Sequence, residues 1–334
     1  MCDPAFPLFP RRLFVRPGFS SLSSPPFCAA RLFLSSLAAF LCDPASPFPL
    51  SPLFSFFRPF RSRVIVKLSG EALQGGEAQC SVAPAFLRSL AEQLAAASSE
   101  HGVRVGVVVG GGNHLRGADA ARGGAAAGLP RPDADGAGML GTLLNGVLLR
   151  GALEVAGADA TLLSALPVPG VAAAYDRRLA LKAWDEGHVL VLAAGTGNPF
   201  FTTDTAAALR AADLGADAVL KATKVDGVYD KDPVRHPDSA RRFERTSFRS
   251  LLNRDLRVLD ATASAFCREN KLPLVVFNVQ KPGGLLAALR GDADVGTVVL
   301  PSDDVQETFE GQAEERGEAQ ADDAAETRQT EAAL

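Results

Sequence analysis

Short apolar runs that end in glycine-rich or polar loops constrain the fold of this chain more than any other feature. Val64–Leu68 ends in Ser-Gly, Val103–Val109 is followed at once by three glycines, and His188–Ala193 leads into a loop rich in glycine and threonine. Runs of this length without polar alternation predict strands buried on both faces. A helix predicted over Pro84–Ser98 separates the first two runs, and such alternation indicates a mainly parallel sheet covered by helices.

Other segments continue this pattern. Further candidate strands are Ala160–Leu163, Ala218–Leu220, Leu274–Phe277 and Thr297–Val299. Further candidate helices are Met139–Val155, Asp204–Leu214, Leu259–Glu269 and Gly284–Leu289. Gly117–Gly136, rich in glycine, alanine, proline and arginine, is predicted to be a loop. Ligands of such sheets bind beyond the carboxyl ends of the strands, so the loops at those ends are the expected functional region.

Composition divides the 334 residues into three parts. Residues 1–60 hold 12 of the 20 Phe and 11 of the 22 Pro and carry a net charge of +3. An Arg- and Ser-containing, acid-poor start is typical of a disordered targeting leader, and an unstructured extension or a misassigned start codon is the alternative. Residues 301–334 carry a net charge of −9 and predict a disordered acidic tail. Residues 61–300 remain as one domain-sized block.

Several function classes find no support. The formal net charge of −4 argues against a general nucleic-acid binder, and no apolar run is long enough to predict a membrane span. Five cysteines without a CxxC pair argue against a disulfide framework or a cysteine-rich zinc site. The P-loop pattern GxxxxGK[ST] is absent, and so is GxGxxG after a strand. The four scattered histidines favour neither zinc hydrolysis nor acyl transfer.

Two of the strand-end loops suit phosphate. Lys67-Leu68-Ser69-Gly70 can hold an ammonium group beside a phosphate that backbone N–H groups approach. Gly110-Gly111-Gly112-Asn113 lets backbone approach a ligand without a Cβ in the way, and Arg116 is near enough to clamp a phosphate. A lysine that reaches solvent from a strand end, and a glycine turn beside a solvated arginine, are the alternatives.

Two further loops add polar groups. In the segment from Gly195 to Thr205, Thr202, Thr203 or Asp204 can cap a helix whose N-terminus attracts an anion. Phe200 and Phe201 either border a base or ribose or plug the core. In the loop from Lys221 to Asp232 the lysines and Thr223 suit phosphate and Tyr229 suits an adenine, and a polar loop closed by an Asp-Gly turn is the alternative.

These loops together resemble the bacterial-type uridylate (UMP) kinases of the amino acid kinase superfamily. The matching motifs are KLSGEAL from Lys67, VVVGGGNHLRG from Val107, AGTGNPFFTTDTAA from Ala194 and LKATKVDGVYDKDP from Leu220. Lesser matches are Asp135 with Gly138-Met139-Leu140, and Leu259-Asp260-Ala261-Thr262. The resemblance covers Val64 to about Leu300.

The resemblance implies an α/β fold, a three-layer α/β/α sandwich, and transfer of a phosphoryl group from MgATP to UMP. It implies catalytic roles for Lys67, Arg116 and Asp204. It implies ATP contacts at Lys67, Leu68, Ser69, Gly70, Gly112, Arg116, Thr223, Tyr229 and Asp232. It implies UMP contacts at Gly111, Asp135, Thr196, Gly197, Asn198, Pro199, Phe200, Phe201, Thr202 and Thr203. Mg²⁺ is expected to be held by phosphate and water rather than by protein ligands.

The resemblance also implies a homo-oligomer, a hexamer, with GTP as activator and UTP as inhibitor. Charge and composition predict no nucleic-acid or membrane partner. Ala118–Ala134 lacks residues typical of the family, and Gly75–Ser81 matches its allosteric part only partly. The leader predicts the plastid stroma, with the cytoplasm as the alternative. A related kinase acting on a carboxylate or carbamate, and a non-catalytic uridine-nucleotide sensor, are the alternative functions. The GTGNPFFTT loop with Asp135 argues against the first, and the presence of the three catalytic candidates argues against the second.

Overall fold

One sheet organises the described part of the chain. The computed structural model describes residues 63–74, 81–115, 128–256, 258–292, 294–303 and 305–310. The predicted leader, Arg116 and residues 311–334 lie outside these ranges. Within them, ten strands are β1 (Arg63–Leu68), β2 (Arg104–Val109), β3 (Ala160–Ser164), β4 (Ala173–Ala174), β5 (Val189–Ala193), β6 (Ala218–Thr223), β7 (Phe243–Ser247), β8 (Leu274–Asn278), β9 (Gly296–Leu300) and β10 (Thr308–Phe309).

Helices alternate with these strands. In the same described ranges they are α1 (Gly70–Leu73), α2 (Pro84–Ser99), α3 (Arg131–Val155), α4 (Arg177–Asp185), α5 (Thr203–Leu214), α6 (Phe248–Asn253), α7 (Ala261–Glu269) and α8 (Gly284–Arg290). Every strand and helix predicted from the sequence is present, with its ends shifted by a few residues at most except in α3.

The strand order is β10-β7-β9-β8-β6-β1-β2-β5-β3-β4, and neighbours are parallel except in the pairs β8–β9 and β7–β10. The mainly parallel sheet is therefore confirmed. β1 lies in the centre, with β2 on one side and β6 on the other. From β1 the chain first adds strands on the β2 side of the sheet and later adds strands on the β6 side. Such a reversal of strand order opens a crevice at the carboxyl ends of the strands.

Helices cover both faces of the sheet, which confirms the three-layer sandwich. On β1, Val64 and Val66 face the layer of α2, α3 and α8, whereas Ile65 faces the layer of α4, α5 and α7. Because side chains alternate along a strand, Lys67 lies on the same face as Ile65. Trp184 of α4 is fully buried on that face, and its indole Nε1 donates to the carbonyl of Val105 at 3.0 Å.

The helix predicted from Met139 begins instead at Arg131, so the last part of the predicted loop Gly117–Gly136 is wrong. Pro132 lies in the first turn, where its missing N–H costs nothing, and Asp133 there complements the positive end of the helix. The glycines of this stretch suggested a loop, but tertiary contacts override that local preference. By length and composition α3 could also cross a membrane, a test that core helices pass as well, and its inner face packs on the sheet.

The sheet also continues past residue 300, where the acidic tail is predicted to begin. β10 pairs with β7 in antiparallel fashion, and the ring of Phe309 stacks on that of Phe243 with centroids 4.5 Å apart. The aromatic contact gives this part of the tail apolar surface to bury. The folded domain therefore extends at least to Glu310.

Candidate functional site

Two lysines and one aspartate form a compact group near the carboxyl ends of β1 and β6, called here the lysine–aspartate cluster. Lys67 and Lys221 are direct register partners on these parallel strands. Asp204, in the first turn of α5, lies between them: Lys67 Nζ is 3.0 Å from its Oδ1 and Lys221 Nζ is 2.6 Å from its Oδ2. Like charges on neighbouring strands repel, so the carboxylate is what allows both ammonium groups to occupy this place.

Burial and charge oppose each other within the cluster. Burial raises the pKa of Asp204, but the two ammonium groups more than offset it, so the pKa lies below its ordinary value. Burial lowers the pKa of Lys221, the charge of Lys67 lowers it further, and Asp204 only partly compensates. Lys221 also donates to the carbonyl of Val258 at 2.5 Å. Lys221 is thus held on two sides, whereas Asp204 is the sole ion-pair partner of Lys67 among the described residues.

The two predicted phosphate loops pack backbone against backbone beside the cluster. The Gly110 N–H donates to the carbonyl of Leu68 at 2.7 Å. A Cβ at Gly70 would lie 2.6 Å from the Gly112 nitrogen, so only glycine fits there. Ser69, next to Gly70, is the N-cap residue of α1. The structure therefore brings the first and second loops into direct contact.

Gly111 joins the second loop to α3. A Cβ at this position would lie 2.6 Å from the carbonyl oxygen of Gly138 and 2.8 Å from the nitrogen of Thr142. The fully buried Asn145, also on α3, donates to the carbonyl of Gly110 at 2.7 Å and to Asn113 Oδ1 at 2.7 Å. Sequence reasoning missed Asn145, although a polar residue inside the apolar helical pattern Met139–Val155 is a signal for such a role.

The loop between β5 and α5, residues 194–202, is held in an unusual backbone conformation. Ala194 and Phe200 have φ angles of 61° and 72°, and Gly195 and Gly197 have 57° and 77°. Non-glycine residues rarely adopt this region and need support from their surroundings. Part of that support comes from Thr142 of α3, whose hydroxyl accepts from the Ala194 N–H at 2.6 Å.

Asp135 of α3 holds the far end of the same loop. Its Oδ2 accepts from the Phe200 N–H at 2.8 Å, and Arg131 Nε lies 2.8 Å from both carboxylate oxygens. Phe200 and Phe201 are 66 % and 52 % exposed, so the alternative that they plug the core is wrong. The structure thus joins Asp135 to the predicted UMP loop. Sequence reasoning missed Arg131, since it was assigned to a loop.

Inside the β5–α5 loop, Thr196 and Asn198 stabilise each other: Thr196 Oγ1 accepts from the Asn198 N–H at 3.2 Å, and Asn198 Nδ2 donates to the Thr196 carbonyl at 3.2 Å. Pro199 follows, and Thr202 ends the loop as the N-cap of α5, accepting from the N–H groups of Asp204 and Thr205.

Asp260, the N-cap of α7, ties that helix to α5. It accepts from Thr202 Oγ1 at 2.5 Å, from Thr205 Oγ1 at 3.1 Å and from the Ala263 N–H at 2.9 Å. Of the three predicted capping residues, Thr202 is therefore the cap, and Thr203 is the first helical residue. This arrangement fixes the first turn of α5 and, with it, the position of Asp204.

The remaining predicted nucleotide contacts lie at the end of β6 and in the loop that follows. Thr223 Oγ1 donates to the carbonyl of Val225 at 2.8 Å and is 3.0 Å from that of Phe277. Tyr229 forms an isolated antiparallel bridge with Arg242. Asp232 is at the surface, where it accepts from the Val234 N–H at 2.9 Å. In these contacts Thr223 and Asp232 brace turns, as the alternative reading of this loop expects.

Metal ligands are sparse in this region. Across the residues that the structure describes, no group of three or more His, Cys, Asp or Glu side chains is placed to hold a metal ion. Two lysines flank Asp204, the carboxylate nearest the centre of the site. A single carboxylate between two lysines suits an ion whose ligands are mostly phosphate oxygens and water, such as the Mg²⁺ of a magnesium–nucleotide complex.

Comparisons with known proteins identify the family of the chain. The model of the amino acid kinase family matches residues 62–278. The uridylate kinase of Magnetococcus marinus is 47 % identical over 230 residues, which are 69 % of this chain and 92 % of that protein. The uridylate kinase of Zymomonas mobilis is 46 % identical over 242 residues, 72 % of this chain and 97 % of that protein.

Solved structures give the same result. The UMP kinase of Bacillus anthracis superposes with a TM-score of 0.69 at 33 % identity, covering 75 % of this chain and 99 % of that one. The UMP kinase of Ureaplasma parvum superposes with a TM-score of 0.66 at 34 % identity, covering 72 % and 99 %.

Proposed function

The chain belongs to the amino acid kinase family, and we propose that it is a uridylate kinase that transfers the γ-phosphoryl group of ATP to UMP, giving UDP and ADP. The observation that carries this proposal is the lysine–aspartate cluster, which lies at the crevice of the sheet in a chain that aligns with nearly the whole length of uridylate kinases. Such a reaction serves pyrimidine nucleotide biosynthesis.

Charge is the main obstacle to this reaction. The phosphate of UMP is largely a dianion near neutral pH, so no residue has to remove a proton before it attacks. Two anionic phosphates must instead be brought into line, and positioning with cationic neutralisation carries nearly all of the rate. A site of this kind needs fixed positive charge rather than a general base.

Lys67 supplies that charge at the transferred phosphoryl group. An ammonium group has three donors, and Asp204 occupies the side of Lys67 that faces Lys221, so donors remain for phosphate oxygens. Asp204 holds both lysines in place through its two carboxylate oxygens, and Lys221 adds a second positive charge behind it. The glycines of the first two loops let backbone N–H groups approach the ATP phosphates. Arg116 is proposed to support Lys67 from the second loop.

Mg²⁺ enters with ATP as part of the substrate. It neutralises phosphate charge during transfer, held by phosphate oxygens and water. On the acceptor side, Asp135 and the β5–α5 loop are proposed to hold UMP. Asp135 suits ribose hydroxyls because a carboxylate accepts hydrogen bonds from them, and the exposed Phe200 and Phe201 offer rings beside the base.

The test uses the full chain with MgATP and follows ADP release with UMP, CMP or an acidic amino acid as separate acceptors. We expect release with UMP. Release with the amino acid alone would assign the chain to another branch of the family. Saturable UMP or UTP binding without release, also in the presence of GTP, would favour the sensor function and overturn the kinase proposal.

A homo-oligomer, a hexamer by resemblance, is part of the same proposal. Leu140, Leu144 and Leu148 form an exposed apolar stripe along α3, 46–57 % accessible, at the spacing that puts residues on one helix face. Covering this stripe with a second copy would remove it from water. Light scattering on the full chain and on the Leu144→Glu variant tests this, and a monomeric wild-type chain would overturn it. Rate measurements with added GTP and UTP test whether these nucleotides act as activator and inhibitor.

The plastid stroma is proposed as the location, on the composition of residues 1–60 alone. Fusing these residues to a fluorescent protein in a plastid-containing cell tests it. Diffuse cytoplasmic fluorescence would favour the alternative.

A further inference from the structure

Residues 305–310, called here the C-terminal strap, cross the outer edge of the sheet beside β7. The strap contributes β10, and its Glu310 N–H donates to the carbonyl of Arg242 at 3.0 Å. Phe309 stacks on Phe243 of β7, and the guanidinium of Arg241 lies 4.5 Å from the Phe309 ring centroid. The strap is therefore anchored through backbone, aromatic and cation–π contacts at once.

A two-point ion pair joins Glu310 of the strap to Arg242. Arg242 NH2 donates to Glu310 Oε1 at 2.8 Å, and Arg242 Nε donates to Oε2 at 3.1 Å. The Arg242 side chain is only 4 % exposed, and its third contact is the carbonyl of Gly296 at 2.6 Å. A buried guanidinium is costly without a carboxylate partner, so the position of Arg242 depends on Glu310.

Arg242 in turn lies behind the turn that carries Tyr229. Tyr229 and Arg242 form an antiparallel bridge, and a Cβ at Gly227 would lie 3.0 Å from Arg242 Cδ. On either side of the bridge, the Phe243 N–H donates to the carbonyl of Val228 at 2.9 Å and the Asp230 N–H donates to that of Arg241 at 3.1 Å. The backbone of residues 241–243 therefore holds the turn from Gly227 to Asp230 on one side and contacts the strap on the other.

We propose that Glu310 is a positioning residue for the ATP side of the site: it holds Arg242 against the 227–230 turn and so sets Tyr229 for the nucleotide. This inference rests on the proposed function only in assigning that turn to ATP. It gives a part of the predicted acidic tail a specific role in the affinity for ATP. The altered pKa of Glu310, lowered by its hydrogen bonds to Arg242, agrees with a persistent ion pair.

Glu307 offers a matched control within the same strap. Its carboxylate accepts from Thr246 Oγ1 at 3.0 Å and from Arg254 NH2 at 2.8 Å, and it also contacts Ser250. These partners belong to β7, α6 and the residue after it, and none of them lies in the 227–230 turn. Loss of Glu307 weakens the anchoring of the strap without removing the partner of Arg242.

The experiment compares the full chain with Glu310→Gln, Glu310→Asp and Glu307→Gln. KM for ATP and KM for UMP are measured separately, the dissociation constant of ATP is measured by calorimetry, and thermal unfolding is followed in parallel. We expect Glu310→Gln to raise KM and the dissociation constant for ATP about threefold to tenfold, less than the loss of a direct charge-assisted contact, because the change reaches ATP only through Arg242 and the turn. KM for UMP and kcat should stay within about twofold, Glu310→Asp should be intermediate, and Glu307→Gln should change ATP binding less than Glu310→Gln.

Equal ATP affinity in Glu310→Gln and the wild-type chain would overturn the inference. An equal rise in both KM values, or the same effect from Glu307→Gln, would reduce the strap to structural support and overturn it too. If the wild-type chain binds ATP but does not phosphorylate UMP, the proposed function fails. Calorimetry on the same variants still decides the role of Glu310 in that case.

Discussion

The two sides of the site are held in place by different means. The lysine–aspartate cluster stands on β1, β6 and the first turn of α5, its lysines are register partners, and Lys67 and Asp204 are each only 12 % exposed. The β5–α5 loop instead depends on positive φ angles, on Asp135 and on Thr142, and it carries two exposed phenylalanines. The groups proposed to meet the reacting atoms are fixed by the sheet, and the groups proposed to select the acceptor lie on a braced loop.

This difference has a functional consequence. A strand-mounted charge cannot move without disturbing the sheet, so changes in the cluster should act on turnover. A loop fixed by a few hydrogen bonds can shift, so changes there should act on the affinity for the acceptor. Variants of the cluster and variants of the loop therefore test whether turnover and affinity for the acceptor can be changed separately.

Lys67→Ala should have the largest effect. It removes the ammonium group assigned to the transferred phosphoryl, and we expect kcat to fall at least about 100-fold, in line with the loss of one charge stabiliser. Steady-state rates with UMP and MgATP measure this. Lys182→Ala, on the exposed face of α4, is the control and should leave kcat unchanged. Near wild-type turnover in Lys67→Ala would remove this lysine from the mechanism.

Asp204→Asn should lower kcat by about tenfold or more, because a neutral amide leaves two neighbouring ammonium groups uncompensated. KM for UMP should change little. Glu186→Gln, which removes an exposed carboxylate at the residue that follows α4, serves as control. A rise in KM for UMP without a fall in kcat would place Asp204 on the acceptor side instead.

Asp135→Asn should raise KM for UMP about tenfold and leave kcat within about threefold. It removes the carboxylate that braces the β5–α5 loop and is proposed to bind ribose hydroxyls. Asp133→Asn, nearby in the first turn of α3, is the matched control. A fall in kcat as large as that of Lys67→Ala, at constant KM, would break the distinction between the two sides.

Gly197→Ala should cost roughly 1–2 kcal/mol of stability and raise KM for UMP by a smaller factor than Asp135→Asn. The backbone there has φ of 77°, and the new Cβ would lie 3.2 Å from the carbonyl oxygen of Ala165. Urea unfolding and steady-state rates measure the two effects. Gly151→Ala, where α3 leaves open space, should be neutral or stabilising. Equal stability of the two variants would contradict the argument from φ.

Asp204 should also give the cluster an acid-sensitive contribution to stability. Its pKa in the folded chain lies below the ordinary value of 3.8, so the unfolded chain binds more protons between the two pKa values. That contribution is present above pH 3.8 and is lost as the pH falls through the lowered pKa. Urea unfolding followed by circular dichroism should show a smaller acid loss in Asp204→Asn than in the wild-type chain. The same loss of stability in acid for Asp204→Asn and the wild-type chain would argue against the ion pairs.

The strands and their loops could be predicted from the sequence because continuous apolar runs that end in glycine carry a local signal. The strands and helices that were missed lack such apolar runs. β7 reads Phe-Glu-Arg-Thr-Ser, too polar for a buried strand, and α4 is rich in charge. The start of α3 at Arg131 was hidden because the proline and glycines of this stretch have low helix propensity, although a Cβ at Gly136 would meet nothing within 4 Å.

Individual residues of the candidate site could be predicted from the sequence, but the contacts between them could not. Lys67 and Asp204 follow from the family resemblance, but their contact with Lys221 depends on β1 and β6 being neighbours in register. No local pattern specifies which strands pair across long stretches of chain. Asn145 and Arg242 were missed for the same reason, since each acts through a partner distant in sequence. Arg131 was missed although its partner Asp135 is only one helical turn away, because the segment was assigned to a loop.

Trp184 is the only tryptophan of the chain, and it is fully buried between α4 and the sheet with its indole N–H bound to Val105. Its emission is therefore a reporter built into the layer that also carries α5. Excitation at the red edge of the aromatic band would follow the opening of this layer with no tryptophan signal from residues 1–60 or 311–334. The full chain can thus be titrated with denaturant or nucleotide without an added dye, and a red shift in emission marks the moment at which the indole meets water.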